Sequence, residues 1–95
     1  MAPMRNMLLL ATLVLIASGC ATITTGRDRC ALLVDTAWKE LDLAKAQGFS
    51  GTVSYSKAAG LLTRAKTNQV VEDFPECIET AERARYFMAE SRKGR

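Results

Sequence analysis

The sequence predicts an all-α fold, a small three-helix up-down-up bundle that follows a short apolar N-terminal segment. Two observations predict it. Apolar residues between positions 27 and 95 recur at steps of three and four, which is the spacing of one face of a helix. Loop-forming residues at 48–51 and at 68–73 divide this pattern into three segments.

Capping signals predict where the helices begin. The first helix should start near Thr25 or Asp28, because T-G-R-D has capping-box spacing. The second should start within residues 52–55, and the third at Asp73, which has Glu76 three positions later. The predicted buried faces are, in chain order, Cys30, Val34, Ala37, Leu41 and Ala44; Ala58, Leu61, Leu62 and Ala65; and Cys77, Ala81, Ala84 and Met88.

Residues 1–19 have the proportions of a secretory signal peptide, with one basic residue, Arg5, ahead of an apolar run. The run covers residues 7–17, which is shorter than the roughly 20 residues that a membrane-spanning helix needs. It ends in Ala-Ser-Gly-Cys at 17–20, which resembles the lipobox of bacterial lipoproteins. The resemblance implies cleavage after Gly19 and acylation of Cys20, so that a lipoprotein signal helix precedes the domain.

The same resemblance implies a location and a domain order. Ala21 follows the cysteine where an Asp would imply retention in the inner membrane, so the lipobox rule places the anchor in the outer membrane, facing the periplasm. Residues 20–26 then form a lipid-anchored tether, and residues 27–95 form the helical domain. The stretch from Gly48 to Lys66 also looks like small lipoproteins of Gram-negative bacteria, a likeness that implies a location and a shape but no activity.

The second and third predicted helices are related to each other. Residues 55–65 align with residues 74–84 at a constant offset of 19, with an aromatic residue followed by small ones in both. This pattern resembles a helix of a tetratricopeptide-type hairpin, in which small residues let two helices approach closely. The alternative is that any tight helical hairpin needs alanine at its contacts.

The two remaining cysteines predict a disulfide. In an up-down-up bundle the first and third helices run parallel, so Cys30 and Cys77 lie at the same end, and the periplasm is oxidising. The alternatives are two free buried thiols or a metal pair. The chain has no histidine and no C-x-x-C motif, which makes a poor metal site, so we predict no metal and no cofactor.

The residues offer little for catalysis. Without histidine, the commonest general base and the Ser–His and Cys–His pairs are excluded. Acidic residues mostly have a basic residue one turn away, as Asp35 has Lys39 and Glu79 has Arg83, and no phosphate-binding glycine loop is present. The sequence therefore predicts no enzyme and no catalytic residue. A net charge of +3, concentrated near the C-terminus, is not typical of nucleic-acid binding, so no nucleic-acid partner is predicted.

An aromatic pair among basic residues is the candidate partner-binding group. Adjacent helical residues point about 100° apart, so one of the two rings should be partly exposed, and an aromatic among arginines is a credible protein contact. The alternative is that both rings pack at the rim of the bundle and the charges are solvated, or that the basic tail rests on anionic lipid or cell-wall carboxylates. The group comprises Arg83, Arg85, Tyr86, Phe87, Arg92 and Lys93.

Together these features predict an outer-membrane-anchored periplasmic lipoprotein that acts as a protein-interaction or envelope-assembly accessory module. Its partners would be the membrane, through the lipid, and a periplasmic or outer-membrane protein. One alternative is a pilot or chaperone for a secretion or outer-membrane channel subunit, which should present an apolar groove. Another is an inhibitor of a cell-wall hydrolase, which should present a protruding loop, and residues 48–54 are the only candidate loop.

Overall fold

A computed structural model describes residues 26–95, and within that range the chain forms three helices and no strand. Helix α1 comprises residues 26–46, α2 comprises Val53–Val70 and α3 comprises Phe74–Ser91. The all-α prediction is confirmed for this part of the chain. The predicted signal peptide, the acylated Cys20 and the tether up to residue 25 lie outside the described residues. None of the helices in the described part is both long enough and apolar enough to cross a membrane.

Side-chain caps start α2 and α3 where the sequence predicts. The Thr52 hydroxyl accepts a hydrogen bond from the Tyr55 N–H at 3.2 Å, and the Asp73 carboxylate accepts one from the Glu76 N–H at 3.4 Å. Each cap satisfies an N–H group that has no partner within its own helix. Helix α1 already includes residue 26, so Asp28 lies inside the helix and a start at Asp28 is wrong.

All three helices end in the same way. A residue with positive φ follows each helix: Gly48 at +91°, Glu72 at +61° and Gly94 at +81°. The next N–H in the chain then donates to the carbonyl five residues earlier, at 2.9, 2.9 and 3.2 Å respectively. This is the Schellman motif, which glycine adopts most easily because it has no Cβ to collide with the backbone. Glu72 is therefore an unusual residue for its position.

The core lies between the three helices and is built largely from alanine. Every residue of the predicted buried faces is buried except Leu61, which is half-buried. Half of the buried apolar side chains are alanines, so the core holds few large groups and the helix surfaces can approach closely. The buried apolar residues are Cys30, Val34, Ala37, Leu41, Ala44, Ala58, Leu62, Ala65, Cys77, Ala81, Ala84 and Met88.

Polar contacts join α1 to α3 in a regular order. The Arg85 guanidinium donates to the Glu40 carboxylate at 2.8 Å, and the Arg92 guanidinium donates to the Gln47 amide oxygen at 3.3 Å. In both contacts the partners are 45 residues apart. Gln47 directly follows α1 and Arg92 directly follows α3, so the two contacts occur in the same order along both segments of the chain. A third contact with the same offset joins α1 to Glu72, just ahead of α3.

Four of the six ion pairs of residues 26–95 join distant segments of the chain, and the other two are local contacts of Glu90. The predicted one-turn pairs of Asp35 with Lys39 and of Glu79 with Arg83 are absent from the ion pairs of residues 26–95. Three ion pairs in this range join two helices, and a fourth joins α1 to the α2–α3 turn. They are Arg29–Glu82, Arg64–Glu76, Arg85–Glu40 and, to the turn, Arg27–Glu72. Spacing along one helix does not reveal which cation faces a neighbouring helix, and in a thin bundle the neighbouring helix lies within reach.

Candidate interaction site

The cysteine pair lies in the core near the start of α3. The sulfurs of Cys30 and Cys77 are at disulfide distance, as the sequence predicts, and their Cα atoms are 5.7 Å apart. Neither residue has any exposed surface. Within the described residues no group of three or more histidine, cysteine or acidic side chains is placed to hold a metal ion.

The structure divides the six predicted partner-binding residues between two sides of α3. Arg85 bonds Glu40 of α1, and Arg92 bonds Gln47, which directly follows α1. Lys93 forms an ion pair with the Glu90 carboxylate of its own turn. Arg83 instead lines a hollow between α2 and α3. Residues two positions apart on a helix point about 200° apart, so Arg83 and Arg85 occupy different faces.

The two aromatic residues differ in exposure, as predicted. Tyr86 is 61% exposed, whereas Phe87 is half-buried and packs against the core. Their ring centroids are 5.2 Å apart in an edge-to-face arrangement. Phe87 also lines the hollow that contains Arg83, so these two residues are the part of the predicted group that the structure brings together there.

We call this hollow the α2–α3 groove. Its volume is about 410 Å³, which lies within the roughly 300–1,000 Å³ of pockets that bind small ligands. Four residues come from α2 and two from α3. The lining residues are Ser56, Lys57, Gly60, Leu61, Arg83 and Phe87.

The groove has an apolar floor and a basic rim. Leu61 and Phe87 are half-buried, pack against the core and leave part of their surface toward the groove. The Lys57 ammonium lies 5.3 Å from the centroid of the Phe87 ring, within the range of a cation–π contact. Neither Lys57 nor Arg83 belongs to an ion pair of residues 26–95, whereas Arg64, on the same face of α2, pairs with Glu76 at 3.5 Å.

Gly60 shapes the groove and was not identified from the sequence. It lies in the interior of α2, where glycine costs roughly 1 kcal/mol relative to alanine. A Cβ built at Gly60 meets no atom within 4 Å, so packing inside the domain does not require a glycine there. The sequence feature that could have identified Gly60 is an isolated glycine inside a helical pattern.

The candidate inhibitor loop is tied to the bundle. Phe49 packs against the core, and the Thr52 hydroxyl oxygen lies 2.6 Å from the Ser91 hydroxyl oxygen. Ser50 and Gly51 are exposed, but the residues on either side of them hold the loop close to the ends of the helices. This arrangement does not resemble a loop that protrudes into an enzyme cleft.

The described residues define a small helical-bundle domain with one buried cysteine pair and a basic-rimmed groove. A scan against protein-family models finds no match to the chain. Searches of curated proteins and of solved structures find no match either.

Proposed function

We propose that the protein is an outer-membrane lipoprotein whose periplasmic helical domain acts as a protein-interaction or envelope-assembly module. Acylation of Cys20 would hold the domain at the membrane, and residues 27–95 would form an up-down-up bundle. The α1–α3 ion pairs support this topology, because Arg29–Glu82 and Glu40–Arg85 follow one another in the same order along the two helices. Buried alanines in α2 and α3 are compatible with a tetratricopeptide-like hairpin and equally with any other tight helical hairpin.

The observation that carries the proposal is the α2–α3 groove. It combines half-buried apolar surface with two cations that lack an ion-pair partner within residues 26–95. Protein interfaces are typically centred on such apolar or aromatic pockets and are bordered by polar groups. The groove therefore has the composition of a binding surface for a protein segment.

The cysteine pair supports the proposed compartment. Disulfides persist in oxidising environments such as the bacterial periplasm and are rare in the reducing cytosol. Cys30 and Cys77 are placed to form one inside the core, where an oxidised pair would hold α1 against α3. Export by the N-terminal segment would deliver the chain to that compartment.

The groove also favours a second candidate function, that of a pilot or chaperone for a secretion or outer-membrane channel subunit. A pilot needs an apolar groove that receives one segment of its partner, and the α2–α3 groove has this form. The hydrolase-inhibitor alternative requires a protruding loop, and the contacts of Phe49 and Thr52 with the bundle count against it. Both favoured functions use the same surface.

Acyl labelling tests the location. Wild-type protein expressed with a clickable fatty acid should take up label and fractionate with the outer membrane, whereas Cys20→Ser should lose both properties. Ala21→Ser, a matched change at the next position, should keep the label. If the wild-type protein takes up no lipid label, the lipoprotein proposal is wrong.

Site-specific photo-crosslinking in living cells tests the interaction role. A crosslinkable residue at Lys57, on the groove rim, should capture one discrete partner. The matched position is Leu32, which is 66% exposed on α1 and distant from the groove in sequence. If no surface position of the domain captures a protein at native expression levels, the interaction-module proposal is wrong.

A further inference from the structure

We propose that the α2–α3 groove binds an acidic segment of a partner protein. An apolar side chain of that segment would rest on Leu61 and Phe87, and neighbouring carboxylates would meet Lys57 and Arg83. This assignment rests on the proposed interaction role, and it specifies the chemistry of the partner.

Charge complementarity favours an acidic occupant. Four arginines of the described domain pair with carboxylates of another helix or of the α2–α3 turn. Lys57 and Arg83 both line the groove, and neither is in an ion pair of residues 26–95. Two unpaired cations around an apolar floor are complementary to a segment that carries carboxylates on either side of an apolar residue.

Gly60 provides the second argument. Glycine in a helix interior lowers stability, and inside this domain no neighbouring atom requires the missing Cβ. The effect of the glycine is to leave the wall of the groove open between Lys57 and Leu61. A surface that keeps this space at a cost in stability has the shape expected of a site that another molecule fills.

The dimensions fit one anchor residue and its immediate neighbours. Ser56 to Leu61 covers about 7.5 Å along α2, or about one and a half turns of helix. A partner helix places side chains on one face at steps of one turn, about 5.4 Å, so an apolar anchor with a carboxylate on each side covers about 10.8 Å. The anchor would lie in the groove and the two carboxylates would lie at or just beyond its ends. A volume of about 410 Å³ accommodates a large side chain of this kind.

Selection from a display library of random dodecapeptides tests the assignment, with the full-length protein in a mild non-ionic detergent as the target. Selected peptides should combine acidic residues with a large apolar one, and their affinity should be measured by fluorescence anisotropy. Gly60→Leu should lower the affinity about tenfold or more, since the new side chain fills the groove. The same variant should melt at or above the wild-type temperature, because leucine forms helix better than glycine, so lost binding cannot be ascribed to misfolding.

Charge variants test the rim. Lys57→Gln combined with Arg83→Gln should lower the affinity several-fold and reduce its dependence on salt concentration. Lys39→Gln combined with Lys45→Gln is the matched control on α1, and it should leave the affinity unchanged.

Three results would overturn the assignment: peptides selected without an acidic excess, affinity that is unaffected by Gly60→Leu, or binding of phosphatidylglycerol vesicles through Lys57 and Arg83 with no peptide selected. The photo-crosslinking experiment distinguishes the proposal that the groove is the binding site from the broader proposal that the domain binds a protein. A crosslink from Leu32 but not from Lys57 would overturn only the assignment of the groove as the binding site. The absence of a crosslink from every surface position would overturn both proposals.

Discussion

Thr52 and Ser91 lie 39 residues apart in the sequence, and their hydroxyl oxygens are 2.6 Å apart. Both oxygens also lie within hydrogen-bond distance of the Phe49 carbonyl, at 2.9 Å and 3.3 Å. Thr52 caps α2, Ser91 is fully buried in the last turn of α3, and Phe49 follows α1. One cluster of hydrogen bonds therefore joins the ends of all three helices.

This cluster predicts coupled losses of stability. Thr52→Ala should lower the free energy of unfolding by about 1–2 kcal/mol, because the cap is lost. Ser91→Ala should lower it by about 1 kcal/mol, since a buried hydroxyl and its partners lose a hydrogen bond. In the double variant the losses should not add, because both hydroxyls share the bond that each single change removes.

Denaturant unfolding measures these effects, and Thr63 supplies the control. Its exposed hydroxyl donates to the Ala59 carbonyl within α2, so Thr63→Ala removes a hydroxyl of the same kind without breaking an interhelical contact. That variant should be neutral or slightly stabilised. Fully additive losses for Thr52→Ala and Ser91→Ala would show that the two residues act independently.

The cysteine pair predicts a large, non-additive effect. An oxidised Cys30–Cys77 bond closes a loop of 47 residues, for which the chain-entropy model gives about 4 kcal/mol. Cys30→Ser and Cys77→Ser should each lower the melting temperature by a similar amount, and the double variant should be no worse than either. Mass spectrometry of the unreduced protein should find a peptide joining the two segments, and free thiols at both positions would contradict the pairing.

Burial of the pair predicts slow reduction. Both sulfurs are enclosed in the core, so a water-soluble reductant should act only as fast as the domain opens. Thiol labelling in dithiothreitol should accelerate sharply when denaturant is added. Rapid reduction in native buffer would show that the end of the bundle near Cys77 opens locally without global unfolding.

The αL position after α2 predicts a stabilising substitution. A non-glycine residue with positive φ costs roughly 1 kcal/mol, and the Glu72–Arg27 ion pair is exposed and contributes roughly 0–1 kcal/mol. Glu72→Gly should therefore raise the free energy of unfolding by about 0.5 kcal/mol. Glu72→Gln keeps the backbone strain and loses the charge, so it should be slightly destabilising. A glycine variant that is less stable than the glutamine variant would contradict this account.

Glu90 predicts a dependence of stability on pH. The hydrogen bond from the Arg95 side chain is the largest influence that lowers the pKa of Glu90, Lys93 also lowers it, and burial opposes them. Because the pKa is lower in the folded than in the unfolded chain, the stabilisation is present at neutral pH. It is lost as the pH falls through the folded-state pKa.

Thermal melting across the acidic range tests this contribution. Glu90→Gln should lower the melting temperature at neutral pH and should lose less stability than the wild type on acidification. Glu79→Gln is the control, because Glu79 is exposed and belongs to no ion pair of residues 26–95. Identical acid profiles for Glu90→Gln and the wild type would show that the carboxylate makes no net contribution.

Much of the core could be predicted from the sequence because burial follows helical period. Val34, Ala37 and Leu41 share one face at steps of three and four, and all three are buried. The pairing of Cys30 with Cys77 followed from combining two such faces with one assumed topology. Helix ends were less predictable, since Glu72 occupies a position that composition alone assigns to glycine or asparagine.

The groove could not be predicted, because it depends on how two helices are rotated about their axes. Periodicity identifies the face of α3 that is buried, but it does not say whether Arg83 or Arg85 turns toward α2. The actual rotation directs Arg85 to Glu40 and leaves Arg83 beside Phe87. Gly60 carried a signal in the sequence, but its meaning required knowing that no atom fills the space beside it.

The position of the cysteine pair determines how the domain would respond to mechanical tension. With the two sulfurs bonded, a force applied at the N-terminal end of α1 passes from Cys30 directly to Cys77. Residues 31–76, which lie between the two cysteines, do not carry this force. That bypassed stretch contains the whole of α2 and would otherwise extend by about 160 Å. The helix that forms most of the groove would thus lie inside a covalently closed loop, and a force transmitted from the N-terminal to the C-terminal end of the domain would not stretch it.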